Sequence, residues 1–444
     1  MPAMDHREDP WLTVAGPLAR MAGPRIPDRI LRAELPENGD ALPALHQAIA
    51  ACHRAGGGRV VVPAGVHALH GPLRLLSRID LHLEQGAVLR FSGEPADFLP
   101  PVLQRWEGTE VVSHAPLISA RDATDIALTG AGSVDGNGSR VFAGWQPVQG
   151  GDQARLREFG RTGVPPGERI FGAGTFLRPS LFQPIACTRV LVEGVTFRDA
   201  PFWVIHPTYC RQVIVRGVTV DSLNHNNDGC DPDSCEDVLI EGCTFRTGDD
   251  AVAIKAGRDA DAWRVGLPTR RVLIRDCQLS SRINGLCIGS EMSGGVSQVF
   301  IERCRIETAA SALYLKGNRD RGGWIEDVHM RDIEVGRATD ALIRCEPNYK
   351  GRGSGSSPPA MRRIRISDVR CATADAYAMA IDGDPDLPVA DVRLERVVVG
   401  SAGEALWLRN ATEVHCHDVV VGGTELPAWP QPTPPEARLR ALRM

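Results

Sequence analysis

The sequence has no stretch of about 18 consecutive apolar residues, so a membrane-spanning helix of ordinary length is excluded. Its 12 cysteines include no CxxC pair, which argues against a zinc ribbon or a thioredoxin-type centre; most are expected to be reduced core thiols. It has no marked excess of either charge. Charged residues make up 24% and the formal net charge is −5, so no polyanion such as nucleic acid is expected as a partner. The amino terminus, MPAMDHREDPW, lacks the apolar core of a secretory signal. Read as given, the chain is expected to stay in the cytoplasm and off the membrane; with a leader removed, it would be periplasmic or secreted. The glycine-rich GAGSVDG has the wrong spacing for a dinucleotide fingerprint and no helix after it. The gaps between apolar segments also hold no helical period, which excludes alternating strands and helices.

What fills the chain instead is a repeat. RVLVEGVTF (189–197), QVIVRGVTV (212–220), DVLIEGCTF (237–245), RVLIRDCQL (271–279), QVFIERCRI (298–306), DVHMRDIEV (327–335), RIRISDVRC (363–371), DVRLERVVV (391–399) and EVHCHDVVV (413–421) share one template. Each alternates apolar and polar residues, bends at Gly, Asp or Arg, and alternates again, which reads as two short strands around a turn. A third strand lies between successive copies, as in DAVAIKAG, GLCIGSE, ALYLKGN, ALIRCEP, AMAIDGD and ALWLRNA. Three short strands per turn, repeated at 22 to 36 residues, predict an all-β chain: a single-stranded right-handed parallel β-helix of about ten coils. The template's seventh position (Val195, Val218, Cys243, Cys277, Cys304, Ile333, Val369, Val397 and Val419) is expected to stack inward, its three cysteines packing as small hydrophobes rather than as a metal ladder.

A solenoid needs covered ends. Asp40 followed by Leu42, Leu45, Ile49 and Cys52 predicts a capping helix that ends at GGGR. The expected organisation is an extension over 1–34, the β-helix over 35–425 and a Pro-rich tail over 426–444. The repeat breaks at 141–184, which carries Phe142, Trp145, Phe159, Phe171, Phe176 and Phe182 and is expected to be a long functional loop beside the groove.

Chemistry concentrates in NHNNDGCDPDSCEDVLIEGCTFRTGDD (224–250). Aligning the third strands places Asp228, Asp250, Asn284 and Ser311 in one stack about 4.8 Å apart, with Asp249 at the bend. Asp233, Lys255, Gly289 and Lys316 form a second row. Like charges stacked on adjacent coils repel, so the triplet Asp228, Asp249 and Asp250 is expected to be functional. Asp231 and Asp233 are equally well read as turn residues. Three such carboxylates suit glycoside hydrolysis, in which one acid protonates the leaving oxygen while others hold and deprotonate water across the sugar. Crowding helps keep the acid protonated near neutral pH.

In order and spacing, NNDG (226–229), TGDD (247–250), GLCIGS (285–290) and YLK (314–316) resemble the four motifs of glycoside hydrolase family 28, the polygalacturonases. The likeness extends to GGGRVVVPAGVHALHGPLRLLSRIDLHLEQGAVLRFS, RPSLFQPIAC and PFWVIHP, and IGSEMSGGV (288–296), with Glu291, resembles bacterial exo-acting members. The resemblance implies that Asp249 is the general acid, that Asp228 and Asp250 hold the attacking water, and that Lys316 binds a substrate carboxylate. It also implies that Asn226, Gly229 and Gly248 shape the turns. The sequence departs from the family twice: the third-motif His falls near Asn284, where the local sequence is RINGL, and the fourth-motif Arg is Tyr314. His225 and His206 are candidates for the missing imidazole. Arg344, one coil beyond Tyr314 in the same row, is expected to supply the lost carboxylate contact. Lys255 joins the expected substrate-binding set through its row.

The expectation is an inverting, exo-acting hydrolase of α-linked galacturonate or a related sugar in pectin-derived oligosaccharides, needing no cofactor or metal. A calcium-dependent polysaccharide lyase and a catalytically impaired sugar-binding homologue are the alternatives.

Overall fold

The computed structural model describes residues 9–351 and 353–433. Strands of successive coils pair in parallel along the molecule. The template's second position runs Val190, Val213, Val238, Val272, Val299, Val328, Ile364, Val392 and Val414 in unbroken register. The third strand of each coil keeps its own register, from Cys230 through Val252, Leu286, Leu313, Ile343 and Met379 to Leu406. The chain is a right-handed parallel β-helix, and each interior coil uses both backbone edges of its strands on its neighbours.

The bends explain the template's composition. In all nine copies the first and sixth residues are left-handed, with φ of 53–59° at the first and 51–75° at the sixth. Gly194, Gly217 and Gly242 adopt this conformation freely, whereas Asp, Arg, Gln and Glu elsewhere do so at a cost of about 1–2 kcal/mol each. The ladder on either side holds them there. Polar residues at these corners then pair from coil to coil: Asp237 with Arg271 at 2.6 Å, Asp276 with Arg303 at 2.8 Å, Asp327 with Arg363 at 2.6 Å and Asp368 with Arg396 at 2.6 Å. Pairs this exposed contribute at most about 1 kcal/mol each; the stability comes from the apolar interior.

That interior is one continuous core through every coil, with the seventh-position stack buried from Val195 to Val419. All 12 cysteines are free and buried. The helix Leu42–Arg54 closes the amino-terminal end with Leu45, Ile49 and Cys52 inward, and the Asp40 carboxylate accepts the Leu42 N–H at 3.0 Å. Residues 424–433 fold back on the last coil, where Leu426 and Thr433 donate to Val419 and Leu408. The rest of the expected tail, 434–444, and residues 1–8 lie outside the described residues. Among the described residues no helix is long and apolar enough to cross a membrane.

Two features were not anticipated. The third template position is apolar at Ile214, Leu239, Leu273 and Phe300, which form a stripe on the outer wall covered by Trp11, Ala15 and Leu18. The break at 141–184 is not a bare loop: it contains the helix Gly150–Thr162, which lies beside the hairpin Val102–Trp106/Thr109–Ser113. Its aromatics are mostly interior. Phe171 and Phe159 join Trp106, Phe202 and Trp203 in a separate cluster, while Phe142 and Phe182 enter the main core.

Because the thiols are free and interior, dithiothreitol should leave the thermal midpoint unchanged. Cys277→Ser, which buries a hydroxyl in an apolar stack, should lower stability by about 1–3 kcal/mol in urea unfolding. A midpoint that falls on reduction contradicts this reading.

Candidate active site

The third strands and their preceding turns face a pocket of about 770 Å³. Register places Asp228 above Asp250 and Asp250 above Asn284, which pairs with Ser311. Asp249 sits at the bend before Asp250. Its carbonyl is pinned by the hydroxyls of Thr247 and Ser281, both at 2.6 Å. Its carboxylate accepts the Asp250 N–H at 2.9 Å and the Asn226 amide at 3.3 Å. The turn is tight, because a Cβ on Gly248 would lie 2.2–2.5 Å from the backbone of Leu223 and Asn224. Asp228, Asp249 and Asp250 each bring a carboxylate oxygen within 4.8 Å of the others, the one cluster among the described residues with the donor set for a metal ion. Two lysines already supply its countercharge.

Those lysines sort the acids. Lys316 Nζ is 3.0 Å from Asp250 Oδ2, and the Asn284 side-chain amide donates to Asp250 Oδ1 at 2.6 Å. Burial alone would raise the Asp250 pKa, but Lys316, Lys255 and these hydrogen bonds outweigh it and hold the group below the ordinary carboxylate value. Among the described residues Asp249 has no lysine within ion-pair distance, only the weaker pull of the same two lysines from farther off. Burial first, and the Asp250 charge second, push it up to about 6. Asp228 is driven well above the carboxylate range by burial and by Asp231 and Asp249. Burial does the same to Asp231. Lys255 Nζ stands 3.7 Å from Asp228 and 3.9 Å from Asp231. Lys255 also meets Glu291 at 3.2 Å and lies 4.6 Å above the Trp203 ring. Glu291 is held ionised by Lys255 and Arg258 against its burial.

The structure gathers most of the residues singled out in the sequence and separates two. Asn226, Asn284, Tyr314, Lys255, Glu291 and Lys316 line the pocket, and His225 stands exposed at its lip. His206 does not reach it. This imidazole is fully buried, hydrogen-bonded to Ser180 and Gln183 at 3.1 Å and 3.6 Å from Asp233. Asp233 is itself interior, paired with Arg105 at 3.0 Å. Arg344 follows Tyr314 in register, as expected, yet is no replacement for a missing substrate contact. It is buried between Asp340 at 2.7 Å and Glu346 at 3.0 Å, and Glu346 also accepts the Tyr314 hydroxyl at 2.6 Å. At 2% exposed and outside the pocket lining, its guanidinium is not open to a substrate carboxylate.

Nothing in the sequence marked Trp203, Arg258, Arg321, Tyr349 or Lys350 as pocket walls, whereas the segment Gln146–Arg157 lies in the stretch expected beside the groove. They come from loops and inserts outside the repeat, where register gives no guide. Only the break in periodicity at 141–184 was a signal, and its pocket-facing residues are Gln146, Gln149, Gln153 and Arg157 rather than its aromatics.

A parallel β-helix that presents three crowded carboxylates backed by lysines suits a glycoside hydrolase. Residues 174–421 match the family model "Glycosyl hydrolases family 28", and the chain belongs to that family. It is 34% identical to an exopolygalacturonase structure from Thermotoga maritima, with a TM-score of 0.88 over 93% of this chain and 96% of that one. It is 28% identical to a probable polygalacturonase of Vitis vinifera over 79% of this chain and 68% of that protein. It is 26% identical to an exo-poly-α-D-galacturonosidase of Dickeya chrysanthemi over 77% of this chain, spanning 61% of that relative's length.

Arg344→Ala should therefore act on stability, leaving the buried Asp340 and the half-buried Glu346 without their partner at a cost of about 3–5 kcal/mol. Denaturant unfolding run beside kinetics checks this. A variant of unchanged stability with a raised KM would return Arg344 to the substrate.

Proposed function

We propose that the protein is an inverting, exo-acting hydrolase of α-linked galacturonate in pectin-derived oligosaccharides. The observation that carries the reading is the divergence of neighbouring acids: Asp249 is raised to about 6 while Lys316 and Asn284 keep Asp250 ionised. Asp249 thus retains a proton to give the leaving glycosidic oxygen, and Asp250 can accept one from water. Asp228, raised well above the carboxylate range by burial and by Asp231 and Asp249, helps seat that water. Lys316, spent on Asp250, tunes the base and leaves the sugar carboxylate to other groups.

Carboxylate spacing does not by itself decide the stereochemistry, since the oxygens lie closer together than in the usual inverting arrangement of about 6.5–9.5 Å. Inversion rests instead on the commitment of Asp250. With Oδ1 bound by Asn284 and Oδ2 by Lys316, it is a poor nucleophile toward carbon yet keeps lone pairs for a water proton. Exo action rests on the insert, where Gln146–Arg157 walls one side of the pocket. The exo activities in the names of the Thermotoga and Dickeya relatives agree with it. The lyase alternative finds no support among the relatives, all of which are named as hydrolases where the likeness is strongest.

Asp249→Asn should retain the fold by circular dichroism and lose turnover by several orders of magnitude, because the amide keeps the shape without the acidic proton. In the wild type, kcat/KM should fall as pH rises through about 6, where Asp249 deprotonates, and again at low pH where Asp250 gains a proton. A plateau extending well past neutral pH would remove Asp249 from the acid's role.

Proton NMR of the first product from an oligogalacturonate should show the β anomer, with monomer accumulating from the earliest time. An α anomer overturns the inversion, early mid-sized oligomers overturn the exo mode, and an unsaturated product overturns hydrolysis.

A further inference from the structure

An anionic sugar entering this pocket needs a cation, and most of those on the wall are already engaged. Lys316 is taken by Asp250 at 3.0 Å and Lys255 by Glu291 at 3.2 Å. Arg258 pairs with Glu291 and Glu107, Arg157 with Glu107 at 2.8 Å, and Arg321 with Asp259 at 2.5 Å. Lys350 is different. Among the described residues it has no carboxylate partner; its ammonium lies exposed at the lip, 5.3 Å from the centre of the Tyr349 ring. We propose that Lys350 is the specificity-determining cation of this site, binding the carboxylate of the uronic acid substrate in place of the arginine absent at Tyr314. This rests on the uronide hydrolase reading above and adds the group that selects the charged sugar.

The loop that carries Lys350 is built to hold it. Before it, the Tyr349 N–H donates to the Gly317 carbonyl at 2.8 Å and the Asn318 amide reaches the Tyr349 carbonyl at 3.4 Å. After it, Asp320 Oδ1 accepts the N–H groups of Ser354 at 2.8 Å and Gly355 at 2.7 Å. Both anchors belong to the segment that follows Lys316, so the lysine's backbone is referenced to the catalytic wall. His225 lines the same pocket, and its pKa is lowered by partial burial and by the nearby charges of Arg178 and Lys350, so it adds no competing cation. Lys350 and the three acids line one pocket. An exposed, hydrated lysine loses less on accepting this partner than a buried one would on exchanging its own.

The test is steady-state kinetics of the full chain on trigalacturonate and on its fully methyl-esterified counterpart. Lys350→Met should raise KM for the free acid about tenfold, the worth of a charged hydrogen bond, and reduce the preference for acid over ester by a similar factor. Lys350→Arg should restore most of it. Added salt should raise the wild-type KM for the acid and hardly move that of Lys350→Met. An unchanged preference in Lys350→Met, or equal losses on both substrates, overturns the proposal while leaving the hydrolase reading intact. If the wild type cleaves neither substrate, the uronide reading itself fails and this proposal falls with it.

Discussion

Everything in this molecule depends on the in-register parallel ladder between coils. Each coil cannot bury its own apolar face or satisfy its own strand edges, so it is stable only against the next. The ladder in turn sets where the chain turns, and it holds aspartates and arginines in left-handed conformations at the first and sixth template positions that they would not keep alone. Once those corners are spaced by the ladder, residues of distant sequence number meet in fixed rows. Asp228, Asp250 and Asn284 come together for the same reason that Val238, Val272 and Val299 do.

The site uses this regularity against itself. Stacking like charges on neighbouring coils is unfavourable, and the fold tolerates it because the second row brings Lys255 and Lys316 to the same wall. The lysines do not treat the acids alike: Lys316 and Asn284 bind Asp250 directly, while at Asp249 burial and the Asp250 charge outweigh their pull. A carboxylate pair that would otherwise titrate together is thereby split into a proton donor and a proton acceptor. The substitution of Asn at 284 fits this scheme, since its amide still donates to Asp250.

Two expectations failed for one shared reason. His206 and Arg344 were placed near the sugar by proximity in sequence or by row, and both lie in the correct row or segment. Register says which residues are neighbours along the helix axis; it does not say whether a side chain finds an internal partner first. Asp233 claims His206, and Asp340 with Glu346 claims Arg344. The insert at 141–184 does reach the groove as expected, but through its glutamines and Arg157, while most of its rings pack inward.

By itself the sequence determined the β-helix, its capping helix, the inward stack and the alignment of the three aspartates with the two lysines. These follow from a period, and a period fixes geometry wherever every coil repeats its neighbour's hydrogen bonds. Only the tertiary structure decided which charges pair, and so which acid keeps its proton, which cations are spent and which walls close the pocket. Those outcomes depend on burial and on distances of a few ångströms between side chains from inserts and coils far apart in the chain, where Coulomb and desolvation energies change too steeply for spacing in sequence to report them.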